Sequence, residues 1–145
     1  MSLPQLRPME SRKSFSELSI SEESDLVPSV YEWKNIKINK NSRVAEFSNK
    51  NLKDEDIVRE IPTLSCFKNL KEFEVRNNYL TSLSCKIIVN NLNFIQTLDI
   101  RGNRIGDSGL TVIAAGLPKL KNLLISETEA TDEGGRKIAE SMSHL

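Results

Sequence analysis

The sequence repeats one apolar pattern at an offset of 25 residues, which limits the folds open to the chain. The segments FEVRNNYLTS (73–82), LDIRGNRIGD (98–107) and LLISETEATD (123–132) align without gaps, and a looser copy, AEFSNKNLKD (45–54), precedes them at an offset of 28. Later apolar columns keep the same spacing, at Ile88, Ile113 and Ile138, at Leu92, Leu117 and Met142, and at Ile95, Leu120 and Leu145. A period between roughly 20 and 50 residues predicts a stack of similar units.

Each unit contains two apolar periods. Leu98 and Ile100 alternate with polar residues, which predicts a short strand with one buried face. Helical spacing follows at Leu110, Ile113, Ala114 and Leu117, and Asp107 is predicted to be the N-cap of that helix. One strand and one helix cannot bury their own apolar sides, so the copies are predicted to stack, with parallel strands on one face and helices behind.

The segment IQTLDIRGNRIGDSGLTVIAAGLPKL (95–120) resembles a leucine-rich repeat, L-x-x-L-x-L-x-x-N-x-L followed by a helix. Its I-G-D-x-G element and its period resemble the ribonuclease-inhibitor-like type. The resemblance covers residues 43–145 and implies an α/β fold, a short solenoid with a parallel concave sheet and convex helices. It also implies that Asn78 and Asn103 are structural, their amides pairing with the backbone; Lys50 and Thr128 occupy that position in the outer copies.

The residues between the buried strand positions form the predicted partner-binding site on the concave face: Glu72, Glu74, Arg76, Thr97, Asp99, Arg101, Asn122 and Leu124. Parallel strands in register stack equal positions about 4.8 Å apart. This gives one row of Glu46, Glu74, Asp99 and Leu124 and another of Ser48, Arg76, Arg101 and Ser126. Two interpretations stay open: exposed acids and arginines that only pair with one another, each pair contributing less than about 1 kcal/mol, or a mixed-charge stripe that binds a partner.

Three segments are predicted. Residues 1–30 are rich in serine and are expected to be a disordered tail; alternatively, Phe15, Leu18 and Ile20 form a docking motif that serine phosphorylation could tune. Residues 31–42, with Trp33, are expected to cap the N-terminal end of the stack, and residues 43–145 form the leucine-rich-repeat domain.

The composition argues against several functions. The chain has 20 basic and 20 acidic residues and a pI near 6.6, which disfavours a nucleic-acid binder. No apolar run approaches the roughly 18 residues of a membrane span. Two cysteines, Cys66 and Cys85, and one histidine are too few for an ordinary zinc site. No nucleophile–base pair emerges, so the chain is not predicted to be an enzyme or to need a cofactor or metal. The N-terminal residues lack the apolar core of a signal peptide, so a cytoplasmic location is expected.

The predicted function is therefore a non-catalytic protein–protein interaction module, an adaptor, scaffold or assembly subunit. It would use the concave face and the C-terminal edge, where the strand near Leu123 is expected to lack a further neighbour and to accept a partner chain, a second copy or further repeats. The alternative is a regulatory protein that acts on an enzyme, such as a small-GTPase regulator, with Arg76 or Arg101 supplied in trans, or a ubiquitin-ligase substrate-recognition subunit.

Overall fold

The computed structural model describes residues 29–145. A β-hairpin comes first, formed by β1 (Val30–Trp33) and β2 (Ile36–Asn39). Strands and helices then alternate in the order β3 (Val44–Glu46), α1 (Asp54–Leu64), β4 (Glu72–Glu74), α2 (Ser82–Asn91), β5 (Thr97–Asp99), α3 (Gly106–Gly116), β6 (Asn122–Leu124) and α4 (Asp132–Ser141).

Strands β3 to β6 form one parallel sheet in chain order. Ala45 pairs with Phe73, Phe73 with Leu98, and Leu98 with Leu123. These are the offsets of 28 and 25 found in the sequence, so the predicted repeat register and the α/β fold class are confirmed.

The core lies between the sheet and the helices. Phe73, Leu98 and Ile113 are fully buried, because the inward side of each strand and the apolar stripe of each helix face one another. Fully burying a side chain of this size contributes roughly 1.5–3 kcal/mol. The apolar columns of the repeat thus account for the cohesion of the stack.

Two asparagines hold the turns that follow the strands. The Asn78 Oδ1 accepts from the backbone N–H of Lys50 (3.0 Å) and Leu52 (2.9 Å), while its Nδ2 donates to the carbonyl of Val75 (2.8 Å). Asn103 likewise accepts from Leu80 N–H at 3.0 Å and donates to the Val75 carbonyl at 2.9 Å. Both side chains are buried, and the structural role implied by the resemblance is confirmed.

The predicted N-cap role of Asp107 is wrong. Helix α3 begins at Gly106, and the Asp107 side chain does not cap it. The Asp107 carboxylate instead accepts from the N–H of Thr131 (2.7 Å) and of Gly134 (3.1 Å), at the start of α4 in the next repeat. Side-by-side packing of the helices brings the first turn of one helix to the N-terminus of the next, where unpaired N–H groups need acceptors.

Asp54 makes the equivalent contact two junctions earlier. Its carboxylate accepts from Thr81 N–H at 2.9 Å and from the hydroxyl groups of Thr81 and Ser84, all at the start of α2. Burial raises the pKa of Asp54, but hydrogen bonds from Ser84 and Thr81 outweigh that effect and lower the pKa overall. A carboxylate therefore joins α1 to α2, and another joins α3 to α4.

Replacement of Asp54 tests this link between repeats. We expect Asp54→Ala to lower the free energy of unfolding by about 1–2 kcal/mol, as for the loss of a good helix cap. Urea unfolding measures the change. The matched control is Asp132→Ala, since Asp132 occupies the same repeat position at the exposed start of α4, the last helix. Equal losses for the two variants would contradict a role in joining repeats.

The N-terminal end of the stack is covered by the β1–β2 hairpin. At the N-terminal end the hairpin covers the first repeat: the Trp33 ring lies 4.7 Å from that of Phe47, and Ile38 is buried. These contacts are those expected of a cap, and the boundaries 31–42 stay a prediction; β1 begins at Val30, one residue earlier. The predicted docking motif, and the predicted disorder of residues 1–28, fall outside the described part of the chain.

Candidate protein-binding surface

The side of the sheet opposite the helices carries the predicted site; we call it the strand face. Its first row places Glu72, Thr97 and Asn122 side by side, and its second places Glu74, Asp99 and Leu124 side by side. Arg76 and Arg101 lie two residues beyond β4 and β5, and their side chains reach back over the second row. The structure thus brings the predicted residues together on three neighbouring strands.

A chain of ion pairs crosses this face. Arg101 meets Asp99 with two parallel hydrogen bonds, Nε to Oδ1 at 2.9 Å and Nη2 to Oδ2 at 2.7 Å. Arg76 bridges two strands, with Nη1 3.3 Å from Asp99 Oδ2 and Nη2 3.2 Å from Glu46 Oε2. The planar guanidinium group suits such paired contacts.

Asp99 is buried, whereas the sequence predicted that the ion pairs of this face would be exposed. Its side chain is only 3% exposed, because the two arginines cover it. Burial raises the pKa of Asp99, but hydrogen bonds from Arg101, followed by the charges of Arg101 and Arg76, lower it overall. Asp99 therefore holds the two arginines in position, and the surface offered to a partner is formed by the residues around it.

Glu74 occupies the centre of the same row, and only the charge of Arg76 offsets the effects that raise its pKa. It lies between Glu46 on β3 and Asp99 on β5, and within residues 29–145 no side chain donates a hydrogen bond to its carboxylate. Burial, followed by the negative charges of Glu46 and Asp99, raises the pKa of Glu74 above its ordinary value. This carboxylate is held at some electrostatic cost in the middle of the strand face.

The cost of the Glu74 charge predicts a pH-dependent substitution effect. Because the folded-state pKa is raised, protonation favours folding, and the penalty appears as pH rises through that pKa. We expect Glu74→Gln to raise the free energy of unfolding near pH 7 by less than about 1 kcal/mol, with a smaller gain near pH 4. Urea unfolding at both pH values, with Glu72→Gln as the control, measures it; a gain that grows towards acid pH would contradict this account.

Glu46 and Ser48 belong to the site although they lie outside the predicted binding set. Glu46 Oε1 accepts from Ser48 N–H at 2.8 Å, and Ser48 Oγ accepts from Arg76 N–H at 3.1 Å. The aligned rows of the repeat already contained both residues, so the register was the signal that could have found them.

At the other end of the strand face, Asn122 donates to Thr97 Oγ1 at 3.2 Å, while Leu124 is half-buried on β6.

Other site types receive no support from residues 29–145. No group of three or more histidine, cysteine, aspartate or glutamate side chains is placed there to hold a metal ion. The two cysteines are unpaired, and burial, with the nearby Asp54 charge, raises the pKa of Cys85 to about 12, so its reactive thiolate form is suppressed. Within the same residues, no helix has the length and apolar character needed to cross a membrane.

Comparisons with known proteins agree with the fold. A family model described as Leucine Rich repeat matches residues 91–114, and this match supports a leucine-rich-repeat fold for the chain. One solved structure with the same fold is Leiomodin-1 Actin-Binding Site 2 (ABS2), at 18% sequence identity and a TM-score of 0.61. The match covers 70% of this chain and 64% of that one, so this chain spans less than two thirds of its neighbour. No curated protein matches the sequence.

Proposed function

We propose that the chain is a non-catalytic protein–protein interaction module, an adaptor, scaffold or assembly subunit, that binds a protein through the strand face and the C-terminal edge. The observation that carries this proposal is the ion-pair network of Glu46, Arg76, Asp99 and Arg101, which fixes charged groups on neighbouring strands of one sheet. Preorganised side chains lose little conformational freedom on binding, so more of their interaction energy contributes to affinity.

The balance of charge on this face favours a basic partner. Four carboxylates, Glu46, Glu72, Glu74 and Asp99, share the surface with two guanidinium groups, Arg76 and Arg101. The arginines engage Glu46 and Asp99, which leaves Glu72 and Glu74 uncompensated by these contacts. A lysine or arginine side chain of the partner, placed over Glu74, would relieve the repulsion within the row.

The geometry of the strand face does not favour the alternative function, a regulatory protein that acts on an enzyme. An arginine supplied in trans to a GTPase must direct its guanidinium group at the transferring phosphate. Arg101 is held by Asp99 at two atoms, and Arg76 is shared between Asp99 and Glu46.

The solved structure with the same fold is an actin-binding site of leiomodin-1, which makes actin the first candidate partner to assay.

The experiment combines partner identification with charge reversal. Actin co-sedimentation is measured first, and affinity purification with crosslinking supplies other partners. The affinity of the chain for the partner found is then compared with that of Glu72→Lys/Glu74→Lys. We expect a loss of at least roughly tenfold, equivalent to about 1.4 kcal/mol, and weaker wild-type binding at higher salt.

The matched control is Glu55→Lys, a reversal on the exposed first turn of α1, away from the strand face and from the C-terminal edge. It should leave the affinity unchanged. Unchanged affinity for the strand-face variant together with a loss for the Glu55 variant would overturn the assignment of the binding surface.

A further inference from the structure

Strand β6 has a paired neighbour only on its β5 side within the described residues. At each earlier junction the residue after a strand donates its N–H to the next strand: Phe47 to Glu74 (2.7 Å), Val75 to Asp99 (2.9 Å) and Ile100 to Leu124 (3.1 Å). The next donor in this series is Ile125. Strand β6 therefore presents an edge whose backbone groups are arranged to pair with a parallel strand.

The apolar layer behind this edge is incompletely covered. Leu98 and Ile100 are fully buried, whereas their equivalents in the last repeat, Leu123 and Ile125, are only partly buried. The same is true of Ile138, whose equivalent Ile113 is fully buried. An occupant of this end must therefore bring an apolar residue at every second position as well as backbone hydrogen bonds.

The first repeat of a second copy does not meet this requirement, because the β1–β2 hairpin already covers it. The β1–β2 hairpin lies against the first repeat, with Trp33 packed on Phe47 and Tyr31 near Phe67. Head-to-tail stacking of two copies would have to displace these aromatic contacts. The occupant must therefore be a segment outside these repeats, in the same or another copy, or a different protein.

The N-terminal tail carries a segment with the required pattern. Residues 15–22, FSELSISE, align with residues 120–127, LKNLLISE, with Leu18, Ile20, Ser21 and Glu22 identical to Leu123, Ile125, Ser126 and Glu127. Phe15 matches Leu120, which begins the last strand unit and is buried. In the same register, Leu18 and Ile20 would cover Leu123 and Ile125, and Ser19 would lie beside Leu124.

We propose that residues 15–22 of one copy add as a fifth parallel strand to the β6 edge of a second copy. This names the occupant of the C-terminal edge and rests on that part of the proposed function. Within one chain, residues 23–29 would have to cross the four strand spacings back to β3, about 19 Å, and then continue past β3 to β1. Seven residues span at most about 25 Å when fully extended, which leaves only about 6 Å for the path from β3 to β1. Exchange between copies avoids this restriction.

Two versions of the full chain, each with one added cysteine and with the buried Cys85 retained, test the proposal without any other partner. With Cys66 replaced by serine in both, one carries Ser19→Cys and the other Leu124→Cys, positions that neighbouring parallel strands bring to about 5 Å between Cα atoms. That separation suits a disulfide. Under mild oxidation we expect the mixture to give the Ser19–Leu124 heterodimer in severalfold excess over a Ser2→Cys control. A sedimentation series should show the average mass of the unmodified chain rising with concentration.

The register is tested by Leu18→Asp/Ile20→Asp, which should abolish both the cross-link and the self-association, whereas Leu3→Asp/Leu6→Asp in the same tail should leave both intact. A third variant carries both Ser19→Cys and Leu124→Cys. Formation of the disulfide only within one copy of this variant, without any heterodimer in the mixture, would overturn exchange between copies. Absence of both products would overturn docking of the tail altogether. Charge reversal at Glu72 and Glu74 should not affect the cross-link, so failure here is distinguishable from failure of the strand-face proposal.

Discussion

Leu98→Ala should lower the free energy of unfolding by about 2–5 kcal/mol, the range for cavities left by large-to-small substitutions in a packed core. Leu98 is fully buried on β5, with Phe73 and Leu123 as its paired neighbours on either side. Loss of its side chain removes apolar contacts in the middle of the sheet, where neighbouring strands restrict collapse of the cavity. Urea or thermal unfolding measures the change.

The same substitution one repeat later is the control. Leu123 occupies the equivalent position on β6 but is only partly buried. We expect Leu123→Ala to cost clearly less than Leu98→Ala. A cost at Leu98 no greater than that at Leu123 would mean that the centre of the stack is not packed as described.

The double variant Arg76→Glu/Arg101→Glu should be destabilised by at least about 2 kcal/mol. Removal of the partners of a buried charge costs roughly 3–5 kcal/mol, and we discount this figure because the arginine side chains are themselves about a third exposed. The reversal leaves the Asp99 carboxylate, which is almost completely buried, between two added negative charges. From exposed pairs alone, one would expect almost no effect on stability.

Arg104→Glu provides the matched control, because Arg104 and its partner Glu129 are 74% and 58% exposed. It should change the free energy of unfolding by less than about 1 kcal/mol. The two variants can be compared by urea unfolding near pH 7. A double variant as stable as the wild type would show that the buried position of Asp99 is incorrect.

The sequence was sufficient to predict the sheet register. The 25-residue offset aligns Phe73, Leu98 and Leu123 in the sequence, and the strands pair at those residues. Such prediction works because each repeat meets its neighbour through the same positions, so that one correct alignment fixes every strand pair. The buried asparagines followed from the resemblance for the same reason.

Contacts that depend on side-chain length and direction could not be predicted in this way. Asp99 occupies a strand-face position in the alternating pattern, and only the return of Arg76 and Arg101 over the sheet buries it. Asp107 has the residue type and position of an N-cap, yet its carboxylate reaches the next repeat. Both errors arise where a polar side chain has a choice of partners, local or across a junction.

The carboxylates at the helix starts also imply that the seams between repeats differ in mechanical strength. Asp54 fastens α2 to α1, and Asp107 fastens α4 to α3. The equivalent residue at the middle junction is Ser82, and α3 has no side-chain cap among the residues described. Between α2 and α3, the helices are held chiefly by apolar packing, which has no directional bond to resist sliding. When the stack is pulled from its ends, it should therefore separate first at this junction. Each half would then contain two repeats that are still joined by the hydrogen bonds of one aspartate.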